Sequence, residues 1–142
     1  MKRTDPAGSL GILTRAELEV MKVLWSRGES TVHDVVDALP RQVAYTTALT
    51  MLRILEQKGY VVHVPNPAGG RAHLYRPVVA EESIRRSHVR DLVDRVFGGR
   101  AEELVTGLLR DEKLTRAELE SLRARIDSRL AAVDAKSKGR RT

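Results

Sequence analysis

The chain has 142 residues, of which 42% are hydrophobic and 4% aromatic, and its formal net charge is +6. It contains no cysteine, which excludes disulfides, thiolate metal sites and cysteine catalysis. No apolar run approaches the ~20 residues that span a bilayer, and the basic pair Lys2 and Arg3 is not followed by the apolar segment of a signal peptide. We therefore expect a cytoplasmic protein, and its basic charge favours a polyanionic partner such as nucleic acid.

A capping box predicts where the first helix begins. The segment before it, residues 1–12, contains a proline and two glycines and is typical of a loose arm. Thr14 can accept a hydrogen bond from the backbone of Glu17, and the carboxylate of Glu17 can reach back to Thr14. Because Gly28 is a natural C-terminal stop, we predict the first helix at about 15–26.

A single apolar stripe predicts the second helix. After Thr31, four apolar residues follow the i, i+3, i+4, i+7 spacing of one helical face: Val32, Val35, Val36 and Leu39. Pro40 ends this segment, because the residue before a proline avoids helical geometry. We predict the second helix at about 32–39.

The third predicted helix, at about 44–58, has two distinct faces and stops at Gly59. At ~100° per residue, one face is apolar and consists of Ala44, Ala48, Met51, Leu52 and Leu55. The opposite face has side chains that can all form hydrogen bonds and include no acid: Thr46, Thr50, Arg53 and Gln57. A polar face without acids suits contact with a polyanion.

After Gly59 the pattern changes from that of a helix to that of a strand. Residues 60–64 are rich in β-branched and aromatic types, and residues 65–70 are prolines, glycines and other turn formers. Residues 72–76 then have the pattern of a return strand. The segment therefore predicts a β-hairpin with a long tip.

The rest of the chain returns to helical patterns. We predict helices at about 81–97 and 101–110, and a last helix that begins at a second capping box after Leu114. This last helix has a continuous aliphatic stripe: Leu119, Leu122, Ile126, Leu130 and Val133. Such a stripe on a lone exposed helix would promote aggregation. We therefore expect its first four members to form a dimer core shared by two chains.

These elements predict a mostly α fold with a small β-hairpin wing. Three helices followed by a hairpin is the order of a winged helix-turn-helix domain, in which the third helix enters the major groove of DNA. We place this DNA-binding domain at residues 1–80. We assign residues 81–135 to a three-helix dimerisation domain and residues 136–142 to a basic, disordered tail.

The segment from Arg41 to Arg76 has the charge balance of a DNA-binding surface. It contains five Lys or Arg residues and a single acid, Glu56. An acid near a phosphate reduces affinity, so the local depletion of acids matters more than the total charge. The segment therefore predicts double-stranded operator DNA as the partner.

The predicted contacts follow from position in the third helix and the hairpin. Thr46 and Thr47 lie at the start of the helix, the end that usually meets base edges. Arg53 and Lys58 lie further along and suit phosphates. Arg71, at the hairpin tip, suits a phosphate or a narrow minor groove.

Other functions are open at this point. A metal-sensing repressor is one alternative, because His33 and Asp37 are one helical turn apart and His63 and His73 could face each other across the hairpin. A ligand-sensing repressor and a protein-binding adaptor with the same fold are others. We predict no enzyme, cofactor, metal site or small-molecule substrate, because the chain has no phosphate-binding glycine loop, nucleophile motif or converging carboxylate pair.

Three segments within residues 10–135 together carry a resemblance to a known family. They are Leu13-Thr14 followed by Glu17 through Trp25, Ala44-Tyr45-Thr46-Thr47 followed by Lys58-Gly59-Tyr60-Val61, and Gly70 through Pro77. In these segments the chain resembles the penicillinase and methicillin-resistance repressors. The resemblance implies a homodimeric repressor of β-lactam resistance genes, with Tyr45 in its recognition helix. It also implies that a membrane β-lactam sensor protease acts indirectly to release the repressor from DNA by cleavage.

One position departs from the family pattern. Relatives of the staphylococcal type are cut at an Asn-Phe bond in the helix before the last one. Counting back from Leu114, the corresponding bond here is Gly107-Leu108. The resemblance therefore makes Gly107-Leu108 the candidate cleavage site.

Overall fold

The protein folds as two compact units, one ending at Leu92 and the other beginning at Val93. The structure, a computed structural model, describes residues 12–111 and 113–141. The predicted loose arm therefore lies outside the described residues except for residue 12.

The first unit has the predicted order of three helices and a hairpin, followed by most of a fourth helix. Its elements are α1 (Arg15–Arg27), α2 (Val32–Ala38), α3 (Tyr45–Gln57), β1 (Val61–Pro65), β2 (His73–Pro77) and α4 (Glu81–Val96), of which α4 continues into the second unit. The predicted helices and strands are confirmed to within a few residues at each end, where boundaries are always least certain.

Reciprocal capping boxes begin both α1 and α2. The hydroxyl of Thr14 accepts from the backbone N–H of Glu17 at 3.1 Å, and the Glu17 carboxylate accepts from the backbone N–H of Thr14 at 2.9 Å. Thr31 and Asp34 make the same two bonds at 3.1 and 2.9 Å. The bond from the Thr31 backbone holds the pKa of Asp34 below its ordinary value. Short polar residues therefore fix where the two helices start.

The core of the first unit lies where α1, α2 and α3 meet. Its fully buried side chains include Met21 and Leu24 from α1, Val35 from α2, and Leu52 and Leu55 from α3. Burial of one such side chain stabilises the fold by roughly 1.5–3 kcal/mol relative to exposure. With little aromatic mass, the helices depend on these aliphatic contacts.

The fourth helix belongs largely to the first unit. Ile84 of α4 is buried in the core cluster of the first unit, and the imidazole Nε2 of His88 accepts from the backbone N–H of Leu13 at 3.2 Å. The sequence pattern places a domain boundary after residue 80, whereas the compact unit extends to Leu92. The difference arises because an amphipathic stripe does not reveal which neighbour covers it.

The hairpin is supported by an isolated β-bridge to a residue outside it. β1 and β2 pair antiparallel, with His63 opposite Tyr75. Ser30, in the connection between α1 and α2, forms a two-bond bridge to Tyr75, at 3.0 and 2.8 Å between backbone N and O atoms. The indole N–H of Trp25 donates to the carbonyl of Val79 at 2.9 Å. β2 and the residues that follow it are thereby tied to the helical core.

The second unit contains the end of α4, then α5 (Ala101–Leu109) and α6 (Arg116–Arg141). A third capping box begins α6: the hydroxyl of Thr115 accepts from the N–H of Glu118 at 3.1 Å. Within the described residues, no helix is both long and apolar enough to cross a bilayer.

The prediction of a disordered basic tail was wrong for residues 136–141, because α6 continues through Arg141. Apart from Gly139, this segment consists of Lys, Ser and Arg, and Lys and Arg have high helix propensity. No proline interrupts it. Residue 142 lies outside the described residues.

Candidate nucleic-acid interface

The two faces predicted for α3 separate in the structure. Ala48, Leu52 and Leu55 are fully buried, where α3 packs against α1, α2 and β1. The side chains that the sequence assigns to DNA are exposed, namely Tyr45, Thr46, Thr47, Thr50, Arg53 and Lys58. α3 therefore presents one continuous polar face to solvent while its other face holds it on the core.

Tyr45 adds an exposed aromatic ring to the first turn of α3, beside Thr46 and Thr47. Its side chain is 43% exposed, and its ring lies 4.7 Å from the ring of His33, centroid to centroid, at an interplanar angle of 45°. His33 belongs to α2, so this contact joins the two helices at the surface. From the sequence, His33 was a candidate only as a metal ligand, because no sequence pattern indicates a ring contact between two helices.

The hydroxyl of Thr50 is already engaged within the helix. It donates to the backbone carbonyl of Thr46 with 2.9 Å between the oxygens, a bond common for threonine in helices. The oxygen of Thr50 can still accept a hydrogen bond, and its methyl group can make an apolar contact. Thr50 therefore suits a donor or a thymine methyl group on DNA.

Three of the five basic residues in this segment have partners in the chain. Arg41 forms an ion pair with Glu19, 2.6 Å between N and O, and Lys58 forms one with Glu17 at 2.8 Å. Arg53 lies close to the side chain of Tyr75 and acts to lower the pKa of its hydroxyl. These contacts orient the cations, and they reduce the charge that Arg41 and Lys58 present to a polyanion.

Lys58 compensates a buried carboxylate that connects the start of α1 to the end of α3. The Glu17 side chain is 9% exposed and that of Lys58 is 46% exposed. Burial raises the pKa of Glu17, but hydrogen bonds from Lys58 and Thr14 outweigh it, and the net pKa lies below the ordinary value of 4.5. Glu17 therefore remains ionised at neutral pH and needs its cation.

We expect Lys58→Ala to lower the free energy of unfolding at pH 7 by about 1–3 kcal/mol, because it leaves a buried carboxylate with one partner fewer. Since the folded-state pKa of Glu17 is lowered, its stabilisation is complete above the unfolded pKa near 4.5 and is lost as pH falls below that value. The difference between variant and parent should therefore shrink at about pH 3. Urea denaturation at both pH values measures this.

Arg41→Ala is the matched control, because the side chain of Arg41 is 57% exposed and that of its partner Glu19 is 21% exposed. An exposed pair contributes little, so we expect a change of about 0.5 kcal/mol or less. A loss for Lys58→Ala that is equally large at pH 3 would contradict the role of the Glu17 charge.

The hairpin tip presents Arg71 to solvent. Gly69 and Gly70 precede it with φ angles of 92° and 93°, a region that favours glycine. The turn is closed by the carbonyl of Asn66, which accepts from the N–H of Gly69 at 2.9 Å. In the described part of the chain Arg71 has no ion pair. Within the described residues Arg71 is therefore an accessible cation with no compensating acid, as its predicted contact with DNA requires.

The single acid of the segment is paired with a histidine. The backbone N–H of His63 donates to the Glu56 carboxylate at 3.2 Å, and the imidazole Nδ1 lies 2.7 and 2.8 Å from its two oxygens. The ring of His63 lies 4.7 Å from that of His73. The two histidines do meet across the hairpin, but nowhere among residues 12–111 and 113–141 does a group of three His, Cys, Asp or Glu side chains have the arrangement of a metal site.

Comparison with known proteins identifies the family of this chain. A family model described as the penicillinase repressor matches residues 13–128, which include the whole hairpin and the first half of α6. The chain belongs to the penicillinase repressor family. This is a family of transcriptional repressors and not of enzymes. The match to its family model confirms the resemblance identified from the sequence.

Individual members of the penicillinase repressor family are distant from this chain. The penicillinase repressor of Bacillus licheniformis is 28% identical over 112 residues, which is 78% of this chain and 85% of that protein. The transcriptional regulator BlaI of Mycobacterium tuberculosis is 42% identical over 78 residues, 53% of this chain and 52% of that protein.

A solved structure supports the winged-helix fold. The transcriptional regulator Tm0710 from Thermotoga maritima covers 83% of this chain and 79% of its own, with a TM-score of 0.50 and 21% identity. At this identity the likeness concerns the fold alone. The predicted winged-helix fold is confirmed.

Proposed function

We propose that this protein is a homodimeric repressor that binds a palindromic operator through α3 and the hairpin. The observation that supports this most directly is the acid-free exposed face of α3, with Thr46 and Thr47 in its first turn. Threonine hydroxyls can donate to or accept from base edges, and their methyl groups can contact thymine. The one nearby acid, Glu56, is engaged by His63.

Arg53 and Arg71 supply the sequence-independent part of the binding. Arg71 lies exposed on the hairpin, and Arg53 is exposed on α3 beside the side chain of Tyr75. Each cation that meets a phosphate releases a counterion, so affinity depends on salt concentration.

We expect Arg53→Ala and Arg71→Ala each to weaken binding to all duplexes and to lower the slope of log affinity against log salt by about one unit. Fluorescence anisotropy across a salt series measures the slope. Arg85→Ala is the matched control, because Arg85 lies on α4 and already pairs with Glu82 at 3.0 Å. Slopes unchanged in both test variants would remove Arg53 and Arg71 from the interface.

We propose that a second copy of the chain covers the aliphatic stripe of α6. Its five members, Leu119, Leu122, Ile126, Leu130 and Val133, are 37–56% exposed in the single chain. They are spaced by three, four, four and three residues, so they form one apolar seam along a single face of α6. A two-fold pair of such helices buries the same stripe on both chains and matches a palindromic site.

We further propose that the regulated genes are β-lactam resistance genes and that release follows cleavage. The gene assignment extends to the present chain what the name penicillinase repressor says of its Bacillus relative. The candidate bond, Gly107-Leu108, lies in the last turn of α5, and Leu108 is 55% exposed. A glycine costs a helix about 1 kcal/mol relative to alanine, which favours local opening to a protease. Cutting there would detach α6 from the DNA-binding half.

Genome-wide footprinting of the protein in its own cells, with and without a β-lactam, tests these proposals together. We expect protected two-fold symmetric sites upstream of resistance genes, and loss of protection after β-lactam exposure. Mass spectrometry of the protein from treated cells should find a fragment ending at Gly107. Sites unrelated to resistance would contradict the gene assignment, and loss of protection with an intact chain would contradict the cleavage.

A further inference from the structure

Glu56, His63, His73 and Tyr75 form a cluster where the last turn of α3 meets the hairpin stem. His63 lies opposite Tyr75 in the strand register, and His73 lies opposite Pro65, two residues further along β1. Because side chains two apart in a strand share a face, His63, Tyr75 and His73 lie on one side of the hairpin. Glu56 of α3 reaches the same side through its bond to His63.

The hydrogen bonds define which atom of His63 can take up a proton. A carboxylate only accepts hydrogen bonds, so the Nδ1 atom that lies 2.7 and 2.8 Å from the Glu56 oxygens is the donor. The other nitrogen, Nε2, is then the one that gains a proton when the ring becomes charged. With its side chain 44% exposed, the ring exchanges protons with solvent freely.

The net charge of this cluster determines the electrostatic potential that DNA would meet beside α3. With His63 neutral, the pair carries the full negative charge of Glu56, the single acid between Arg41 and Arg76. With His63 protonated, the pair is neutral. Imidazole is the side chain that ordinarily changes charge between about pH 5 and 8. The same segment therefore differs by one charge across this range.

We propose that His63 is a positioning residue of the DNA interface that neutralises Glu56 by binding a proton, so that affinity for DNA falls as pH rises. This rests on the proposed function, in which α3 and the hairpin face the phosphates. Phosphates favour the charged imidazole, so DNA binding is accompanied by proton uptake. By linkage, raising the pH then weakens the complex.

The neighbouring groups add to this effect. His73, on β2, lies 4.7 Å from His63, and its own protonation adds positive charge at the same place. Arg53, on α3, is a permanent cation that lies close to Tyr75. Burial, with a smaller contribution from Glu56, raises the pKa of Tyr75, so its hydroxyl stays neutral in this range. The ionisable groups that face His63 are thus Glu56 on α3, and His73 and Tyr75 on β2.

Anisotropy titrations at about pH 6 and pH 8 test the proposal, with a labelled duplex of about 30 base pairs from a footprinted site and a scrambled duplex of the same length. The buffer contains a chelator, so that metal binding by the histidine pair plays no part. We expect the parent to bind both duplexes about five- to tenfold more weakly at the higher pH, the scale expected for one charge near a phosphate.

Two variants hold the charge at position 63 constant. His63→Gln should bind more weakly than the parent at about pH 6 and lose the part of the pH dependence that His63 supplies, so that only the contribution of His73 remains. His63→Lys should retain tight binding at about pH 8. Glu56→Gln should bind more tightly than the parent at about pH 8, whereas a merely structural role for Glu56 predicts no gain. Thermal melting followed by circular dichroism checks that each variant is folded.

His88→Gln is the control, because His88 lies on α4 and accepts from the backbone of Leu13; it should keep the pH dependence of the parent. A parent that binds DNA equally at both pH values, or a His63→Gln variant with the full parental pH dependence, would overturn the inference and leave the proposed function intact. A parent that binds no duplex at either pH would overturn both.

Discussion

Leu122→Asp is expected to convert the proposed dimer into monomers and to weaken operator binding about a hundredfold or more. In a dimer the second half-site contact is intramolecular, and its effective concentration commonly raises affinity by 10²–10⁴. A carboxylate at position 122 would be desolvated and unpaired at the seam. Analytical ultracentrifugation measures the oligomeric state, and a gel-shift assay with the palindromic duplex measures the affinity.

Ala124→Asp is the matched control for this experiment. Ala124 lies on the same helix, about 200° around the axis from Leu122 at ~100° per residue, and is exposed. We expect this variant to remain dimeric and to bind as the parent does. The fold of the first unit should be unchanged in both variants, because its core does not include α6. A dimeric Leu122→Asp, or a monomer that binds the palindrome as tightly as the parent, would contradict both the seam and the cleavage proposal.

Replacement of Thr46 and Thr47 by alanine is expected to have the second largest effect, and it should act on specificity. Each good base contact contributes roughly 1–3 kcal/mol of discrimination, so the double variant should lose about a hundredfold in preference for the operator over scrambled DNA. Both threonines lie in the first turn of α3 and are exposed, so the fold should tolerate the change. Competition titrations with single-base variants of the operator would show which base pairs lose their discrimination.

Arg71→Ala provides the contrast, since it should weaken operator and scrambled DNA by the same factor. If the threonine variant also loses affinity equally for both duplexes, Thr46 and Thr47 contact the backbone and do not read bases. If it loses neither, the first turn of α3 lies outside the interface. A selective loss for the operator alone supports base readout.

Local signals in the chain were sufficient to predict the helices and the hairpin, apart from the extension of α6 through residues 136–141. The capping residues Thr14, Thr31 and Thr115 satisfy backbone donors three residues away, so their effect depends on neighbours in sequence. The apolar spacing of α3 likewise depends only on helix geometry, and its two faces appear as predicted. The change of period after Gly59 indicated the hairpin for the same reason.

The candidate site was predicted less completely than the elements that carry it. The exposed residues of α3 and Arg71 follow from position, but the partners of the charged residues do not. Lys58 was assigned to phosphate, and the structure pairs it with Glu17, 41 positions away along the chain. Glu56 was treated as a residual acid, and its bonds to His63 depend on how the hairpin folds back on α3.

Sequence patterns alone therefore established the order of the elements, the apolar and polar faces and the starts of the helices, because these depend on contacts within a few residues. The packing of the chain established which charges are compensated, that Ser30 bridges to Tyr75, and that α4 joins the first core through Ile84. These features join residues far apart in sequence, and their energies depend on burial and on distances between atoms. No local pattern encodes that burial or those distances, so they became visible only in the folded chain.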